Sequence, residues 1–450
     1  MSRLLSYFKA KSLAEQFCVL GLFLLPYDAL PVMPTHYRPV SVYFFSIAFV
    51  LFFFLEKRMQ IAFDNVSKWL IYFFAYSIPV GIATSLYYGN PLANVADHFA
   101  GFLMGLFTYL SLAFFFNRYN SVESTIDQVT DILSYAYTLP IIVCVIEMLA
   151  IYTPFSISIK HVLNSIFGGW QANRICGSSS ETSWMALHLL TIMPVLYYRG
   201  FYKKERARKI LFTCAVASFL ACVSLKGFLI LAIACVIFYL HQSAINKNLA
   251  GAVLKLLLLI VCLWGGFCLL LYAASQMESS YFTIRILNFS TSLSLRDILF
   301  LDGSVFIRCG FPLIAFQIFF DHPLFGTGAG SFAFMFRDYL LANFREALNY
   351  GEVLHYFKTG TSANTTIYAK IFSEFGIIGA LLYLRFYCFA LLNSCIPKNS
   401  AILFWAAILL ALPFQQGSYA YLPMWVGVAL FVSLLNCRVN ENLCMGGGGK

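Results

Sequence analysis

Charged residues are scarce in this chain: they make up 11% of its 450 residues, whereas 60% are hydrophobic. Soluble globular domains carry about 25% charged and about 45–50% apolar residues. So little polar surface cannot cover a water-soluble fold of this length, and a disordered chain would be far less apolar. The composition therefore predicts a polytopic membrane protein.

Metal-ligand clusters and paired cysteines are also missing. The 13 cysteines form no CxxC pair and no Cys/His cluster, and most lie in apolar runs, where cysteine behaves as a small hydrophobe. A structural zinc site is thereby disfavoured, and we expect neither metal nor cofactor. Cys176 and Cys309 fall in segments expected on the outer side, where they form a disulfide or, as we predict, stay separate thiols.

The excess of basic residues does not indicate nucleic acid. The net charge is +10, but much of the excess lies in short loops, and the densest run, 199–209, offers no stacking platform beyond Phe201 and Tyr202. Membrane orientation explains the excess better, because Lys and Arg accumulate in cytoplasmic loops.

Apolar stretches predict an all-α integral membrane protein with about twelve spans. A spanning helix needs about 20 apolar residues. The candidates lie near 13–32, 38–56, 68–87, 94–116, 128–152, 183–198, 210–223, 226–241, 251–274, 371–394, 401–417 and 420–437. The stretch 210–241 is nearly continuous, and only Ser224, Lys226 and Gly227 interrupt it.

The Lys and Arg residues of alternate loops give the orientation. We expect the start of the chain to carry no cleavable leader and to form a cytoplasmic tail, as the C-terminus does; residues 446–450 resemble a linker scar. Residues 1–274 then hold nine spans and an outward loop near 153–182, residues 275–370 form one large outward loop with helical segments, and 371–445 hold the last three spans and a tail. A loop this long is usually functional.

Two outward segments before the large loop carry polar residues that could have either a structural or a functional role. Glu181, in the turn-rich stretch 174–181, caps the helix that follows or is a carboxylate that accepts a proton from a hydroxyl. Lys226 snorkels at a helix end or lines an outward cavity. Arg174, Lys226 and Arg308 together could hold one pyrophosphate, or they could occupy separate surface positions.

The segment after Arg308 is rich in glycine. His322-Pro-Leu-Phe-Gly-Thr-Gly-Ala-Gly330 has neither the Lys-Ser/Thr of a Walker loop nor the preceding strand of a dinucleotide site. Further on, Lys370 and Glu374 are four residues apart, which predicts a salt bridge on one helix face.

These motifs resemble those of the O-antigen polymerase (Wzy-like) and ligase superfamily of polytopic membrane glycosyltransferases. Arg174-x-x-Gly177 with Glu181 is similar to its Arg-x-x-Gly-x-x-x-acidic segment, and Leu225-Lys226-Gly227 to its Ser-Arg-Gly site, with Lys in place of Arg. Arg308 followed by His322-Pro-Leu-Phe-Gly-x-Gly-x-Gly-x-Phe332 matches best, and Asn364 to Gly379 is similar to the His-Asn…Glu-x-Gly-x-x-Gly segment. The His that ligases carry before that Asn is replaced by Ala363, which favours a polymerase over a ligase.

The resemblance implies a GT-C-like fold in the bacterial inner membrane, with an active site that faces the periplasm. The donor and the acceptor would be oligosaccharide repeats on undecaprenyl pyrophosphate, without metal, and a chain-length-regulating co-polymerase is an expected partner. Glu181 is the first candidate base and His322 the second. The candidate pyrophosphate and glycan ligands are Arg174, Lys226, Arg308, Arg296 and Asn364.

Two other functions fit a membrane protein with internal cations. A flippase for the same lipid-linked oligosaccharide would need many spans but no long Arg-rich outer loop. An ion-coupled transporter would carry acidic or broken-helix sites at the midplane, whereas most charges here lie at span ends.

Overall fold

The computed structural model describes residues 11–30, 39–56, 64–119, 121–152, 157–169, 171, 174–246, 251, 255, 294–360, 366–393 and 399–446. Within these ranges the regular structure is all helical. The α-helices are α1 (Leu13–Leu24), α2 (Ser41–Phe54), α3 (Ser67–Tyr87), α4 (Leu92–Phe116), α5 (Val122–Ala136), α6 (Thr138–Tyr152), α7 (Ile157–Phe167), α8 (Thr182–Tyr197), α9 (Arg206–Cys222), α10 (Leu225–Asn246), α11 (Leu295–Leu299), α12 (Gly303–Asp321), α13 (Phe332–Asn343), α14 (Gly351–Thr359), α15 (Ile367–Leu392), α16 (Ser400–Ala411) and α17 (Leu422–Gly446).

Six helical stretches in the described part of the chain are long and apolar enough to cross a membrane, against the twelve spans predicted. They are 67–87, 92–116, 122–151, 225–244, 303–321 and 367–392, and four shorter apolar helices accompany them. Several predicted spans are shorter as helices because proline ends them: α1 stops two residues before Pro26, and α16 gives way at Ala411 to a 3-10 turn that contains Pro413. The stretch 251–274 lies almost wholly outside the described residues.

The predicted break within 210–241 is confirmed. Helix α9 ends at Cys222, Val223 adopts a left-handed conformation (φ 46°, ψ 50°), and α10 begins at Leu225. The Ser224 hydroxyl accepts a hydrogen bond from the Gly227 amide at 3.3 Å. This turn brings Lys226 to the very start of α10.

Two hydrophobic cores support the described helices. The larger one surrounds α4, α8, α16 and α17, and includes the fully buried Tyr109, Trp405 and Trp425. The smaller one joins α12, α13 and α14 around Phe306, Phe311 and other apolar residues. The second core orders residues that the sequence places in one long loop.

Helix α12 is the main departure from that predicted loop. Residues 303–321 have the length and composition of a membrane-crossing helix. Asp302 caps the start of the helix, since its carboxylate accepts a hydrogen bond from the Val305 amide at 2.8 Å. The helix packs on α15 through Phe319 and Phe372, whose ring centroids lie 5.1 Å apart. The part of the loop before residue 294 lies outside the described residues.

The glycine-rich segment 322–330 packs against a break in α15. Gly376 has φ 63° and ψ −165°, so the helix hydrogen bonds are interrupted there. The freed carbonyls of Ser373 and Glu374 accept from the amides of Thr327 at 3.0 Å and Gly328 at 2.9 Å. The loop therefore satisfies backbone groups that a helix break inside an apolar bundle would leave unpaired.

The predicted Lys370–Glu374 ion pair is not the closest contact of that carboxylate. His98 Nδ1 of α4 lies 2.9 Å from Glu374 Oε2, and both side chains are buried. The ammonium of Lys370 instead lies 5.3 Å from the centroid of the Tyr419 ring. Helical spacing gives the face of the helix but does not reveal a partner from another helix.

We predict that Gly328→Ala destabilises the protein by at least about 2 kcal/mol, because strained backbone alone costs about 1–3 kcal/mol per residue. Gly328 has φ 102°, and a Cβ there would meet the Ser85 backbone nitrogen at 2.5 Å. The measurement is thermal unfolding of the purified protein in detergent. Gly101→Ala is the control, since that glycine lies within α4 with open space around it. Equal melting temperatures for the two variants would contradict the packing role of the loop.

Candidate functional site

One cavity of about 230 Å³ collects side chains from five separate segments of the chain. It contains two cations, two carboxylates, two amides and several hydroxyl groups. The lining residues are Glu181, Ser183, Trp184, Lys226, Ser304, Ile307, Arg308, Glu352, Tyr356, Gln415, Gln416, Gly417 and Ser418. Three of the residues singled out in the sequence, Glu181, Lys226 and Arg308, thus share one site.

Four helices begin beside this cavity. Glu181 immediately precedes α8, Lys226 is the second residue of α10, and Ser304 is the second residue of α12. Glu352 holds the same position in α14. A helix N-terminus carries a partial positive charge, so their convergence favours an anionic group in the cavity.

Glu181 does not cap α8, although the sequence offered that interpretation. Its backbone is extended (φ −142°, ψ 158°) and its side chain makes no capping hydrogen bond. The Thr182 amide bonds instead to Gln171 Oε1 at 3.0 Å, and the Ser183 hydroxyl donates to Glu181 Oε1. The Ser183 side chain therefore holds the Glu181 carboxylate next to the cavity, and the carboxylate accepts no hydrogen bond from the backbone amides at the start of α8.

Lys226 does not snorkel to a surface. Its side chain is buried, with 9% of the residue exposed, and Nζ donates to Gln416 Oε1 at 3.1 Å. The ammonium also lies 4.8 Å from the centroid of the Trp184 ring, a cation–π distance. It interacts electrostatically with Arg308 and Glu181, which places the three charges in one electrostatic environment.

Arg308 approaches the same cavity from α12. The guanidinium is half-buried and donates to the Ser304 carbonyl at 3.1 Å and to the Ser304 hydroxyl, one turn earlier. It also interacts electrostatically with Tyr356 of α14, as do Glu181 and Glu352. Burial and these carboxylates raise the pKa of the Tyr356 phenol, which therefore keeps its proton at neutral pH.

The other predicted ligands lie elsewhere. Arg174 is exposed and donates to the carbonyls of Cys222 at 3.3 Å and Val223 at 3.4 Å, so it stabilises the end of α9. Arg296 forms an exposed ion pair with Glu346 at 3.0 Å and borders a different cavity. Asn364 lies outside the described residues.

The second candidate base, His322, follows the opposite end of α12 from Arg308. Fourteen residues of helix separate the two positions by about 20 Å. His322 Nδ1 lies 3.0 Å from the Tyr88 hydroxyl, and the residue does not line the cavity. The structure thus separates the two candidate bases and leaves Glu181 beside the cations.

A buried ion pair holds the segment that leads to Glu181. Glu147 Oε2 of α6 accepts from the backbone amides of Cys176 at 2.8 Å and Gly177 at 2.7 Å, and its other oxygen accepts from Lys160 Nζ at 2.5 Å. Gly177 has φ 58°, and a Cβ there would meet Cys144 Sγ at 2.7 Å. The Arg-x-x-Gly motif therefore matches a tight turn fixed by a carboxylate from another helix.

The lining residues that sequence reasoning missed include Glu352, Tyr356, Gln415 and Gln416. The two glutamines form a consecutive amide pair between Pro413 and Gly417, in a stretch that we assigned to a span. That pair is the signal that could have marked a cavity. Cys176 and Cys309 are both free thiols, as predicted.

Comparison with known proteins assigns no relative. A scan against models of protein families finds no match, and a search of curated proteins finds none of significant similarity. The contents and geometry of this cavity are therefore the main indication of what the protein does.

We predict that Glu147→Ala costs about 3–5 kcal/mol, because it leaves the Lys160 ammonium buried without its carboxylate. It also removes the acceptor of two backbone amides, so the segment around Cys176 should open. The measurement combines apparent melting temperature with maleimide labelling of Cys176, mapped by mass spectrometry.

The exposed carboxylate Glu346 provides the control, since Glu346→Ala breaks only a surface ion pair. Adding Lys160→Met to Glu147→Ala should restore part of the stability but not the protection of Cys176. Unchanged labelling of Cys176 in Glu147→Ala would contradict the role assigned to this carboxylate.

Proposed function

We propose that this protein is an O-antigen polymerase, a glycosyltransferase that joins oligosaccharide repeats carried on undecaprenyl pyrophosphate. The observation that carries the proposal is the meeting of Lys226 and Arg308 with Glu181 in one cavity. These residues come from three segments that the motifs marked separately. The donor and the acceptor are both lipid-linked repeats, so the membrane supplies the substrates.

The two cations suit a pyrophosphate leaving group. Charge develops on the phosphate oxygens as the glycosidic carbon separates from them, and fixed cations stabilise that charge in the transition state. Arg308 can bind two oxygens with its planar guanidinium, whereas Lys226 acts as a point charge. The helix N-termini at the cavity add to the same positive potential.

Glu181 is the base of this proposal. The acceptor hydroxyl loses its proton to the carboxylate while its oxygen bonds to the anomeric carbon of the donor, and the bond from that carbon to the pyrophosphate oxygen breaks. The hydrogen bond from Ser183 fixes one carboxylate oxygen. His322 lies too far from the cations to serve the same bond.

The orientation of α8 supports an outward-facing cavity. Glu181 stands at the start of this helix, and the basic run 199–209 follows its end, about 24 Å away along the axis. Because basic loops stay in the cytoplasm, the cavity would face the periplasm. The proposal includes the bacterial inner membrane, cytoplasmic termini, twelve spans, a GT-C-like architecture and a co-polymerase partner.

We predict that Arg308→Ala and Lys226→Ala each lower polymerisation at least about 100-fold, the loss typical of a removed transition-state donor. Lys226→Arg should keep most of the activity, because it retains the charge. The measurement is chain growth from lipid-linked repeats in liposomes, checked against O-antigen ladders in cells.

Arg345→Ala is the matched control, since Arg345 is an exposed arginine of the same long segment and does not line the cavity. Normal ladders in Arg308→Ala would contradict the cationic site. Translocation of the lipid without chain growth by the wild-type protein would indicate a flippase instead.

We predict that Glu181→Gln binds the donor normally but lowers the rate of bond formation by about 10²–10⁴, the usual contribution of a general base. Single-turnover assays with bound donor separate the two steps. Glu346→Gln, which changes an exposed carboxylate outside the cavity, should leave the rate unaltered. A wild-type rate in Glu181→Gln would show that another residue is the general base.

A further inference from the structure

Two consecutive glutamines are buried at the cavity. Gln415 and Gln416 follow the 3-10 turn Leu412–Phe414, and 8% and 1% of their surfaces are exposed. Their backbone amides both donate to the Leu412 carbonyl, at 3.0 and 2.9 Å, and the Gln416 carbonyl accepts from the Ile367 amide at 2.7 Å. The backbone that carries these side chains is thus fixed by α15 and by its own turn.

Chemistry fixes which way the Gln416 amide points. An ammonium group can only donate, so the atom 3.1 Å from Lys226 Nζ must be the amide oxygen. The Gln416 Nε2 group therefore points away from Lys226, and it has no hydrogen-bond acceptor among the described residues. Gln416, which lines the cavity, thus carries one buried donor that is not used by the fold.

Gln415 supplies the complementary group. Its Oε1 atom is buried and has no hydrogen-bond donor within the described ranges. Buried polar atoms in native proteins almost always have a partner. Both residues line the cavity, and a rotation of their side-chain amides would bring this orphan donor and this orphan acceptor to a ligand there.

A pyrophosphate alone does not fit these two groups. Its oxygens accept hydrogen bonds but cannot donate to Gln415 Oε1, and the carboxylates of Glu181 and Glu352 repel it. A sugar hydroxyl both donates and accepts, and it carries no charge. The lining therefore matches a ligand with an anionic part next to a hydroxyl-bearing part.

We propose that Gln415 and Gln416 form a saccharide subsite, which recognises hydroxyl groups of the sugar attached to the pyrophosphate held by Lys226 and Arg308. This inference rests on the proposed function and assigns residues that select the substrate. The sugar is recognised by hydrogen bonds and not by stacking on Trp184, because that ring already contacts Lys226 and its centroid lies 5.8 Å from that of the Tyr421 ring. The cavity of about 230 Å³ is smaller than a typical drug-sized pocket, so it holds the linkage region and not a whole repeat.

The test compares two probes on full-length protein in nanodiscs: undecaprenyl pyrophosphate without sugar, and the same lipid carrying the repeat unit, extracted from the source membranes. Wild-type protein should bind the glycan-bearing lipid more tightly. Gln415→Met and Gln416→Met keep side-chain size and should weaken that binding about two- to tenfold, the effect of one neutral hydrogen bond. Gln415→Met should change the affinity for the bare lipid less than twofold.

Gln317→Met is the matched control, since Gln317 lies on α12 outside the cavity and should bind both probes normally. Arg308→Ala should weaken both probes. Equal weakening of both probes in Gln415→Met, or no weakening of either, overturns the saccharide subsite and leaves the cationic site intact. Binding of neither probe by wild-type protein, or bare-lipid binding that Arg308→Ala does not weaken, overturns the proposed function itself.

Discussion

The burial of the Lys226 ammonium is the constraint on which the candidate site depends. A charge inside an apolar bundle is costly unless other groups replace its water. Here the Gln416 oxygen, the Trp184 ring and the Glu181 carboxylate provide that environment. They come from the start of α8 and from the turn after α16, so the position of one cation fixes the mutual arrangement of α8, α10 and that turn.

Irregular backbone elsewhere in the bundle is stabilised by buried polar pairs of the same kind. Glu147 holds the turn before α8, and Glu374 with His98 joins the break of α15 to α4. Asp28 lies 3.1 Å from His188, whose other ring nitrogen lies 2.7 Å from the Tyr137 hydroxyl. Such pairs contribute little net stability compared with apolar packing, but removing one partner is strongly destabilising. They therefore fix where the chain leaves helical geometry.

The sequence was informative about elements and about local charge. Apolar length placed the starts of α3, α8 and α16 within one residue, and the polar step at Ser224 marked the start of α10. The side chains from distant segments that contact a given residue were not predictable. Hydrophobic periodicity shows which face of a helix is buried but not which other helix packs on that face. Glu374 shows this limit, since a carboxylate four residues from Lys370 contacts a histidine of α4.

The same limit explains which parts of the site were found. Glu181, Lys226 and Arg308 were noticed because charge is conspicuous in an apolar chain. Gln415 and Gln416 are uncharged, and a hydropathy window absorbs them into a span. Arg174 was also noticed for its charge, yet it donates hydrogen bonds to backbone carbonyls at the end of α9. An exposed guanidinium can stabilise a helix end in this way wherever free carbonyls lie nearby. Charge thus locates candidates, and only tertiary contacts separate ligand-binding cations from helix caps.

The balance of charges in the cavity limits the reactions it can support. The formal charges of two cations and two carboxylates cancel, so only the partial charges of the helix N-termini favour a free anion such as inorganic phosphate. Affinity must then come from a ligand that uses both signs at once, with phosphate oxygens on Lys226 and Arg308 and hydroxyl protons toward Glu181 and Glu352. A glycosyl pyrophosphate meeting a second sugar presents that pattern, whereas a lipid phosphate without sugar satisfies only half of it. In the proposed reaction, the carboxylates that weaken binding of the leaving group are the groups that the acceptor hydroxyl requires.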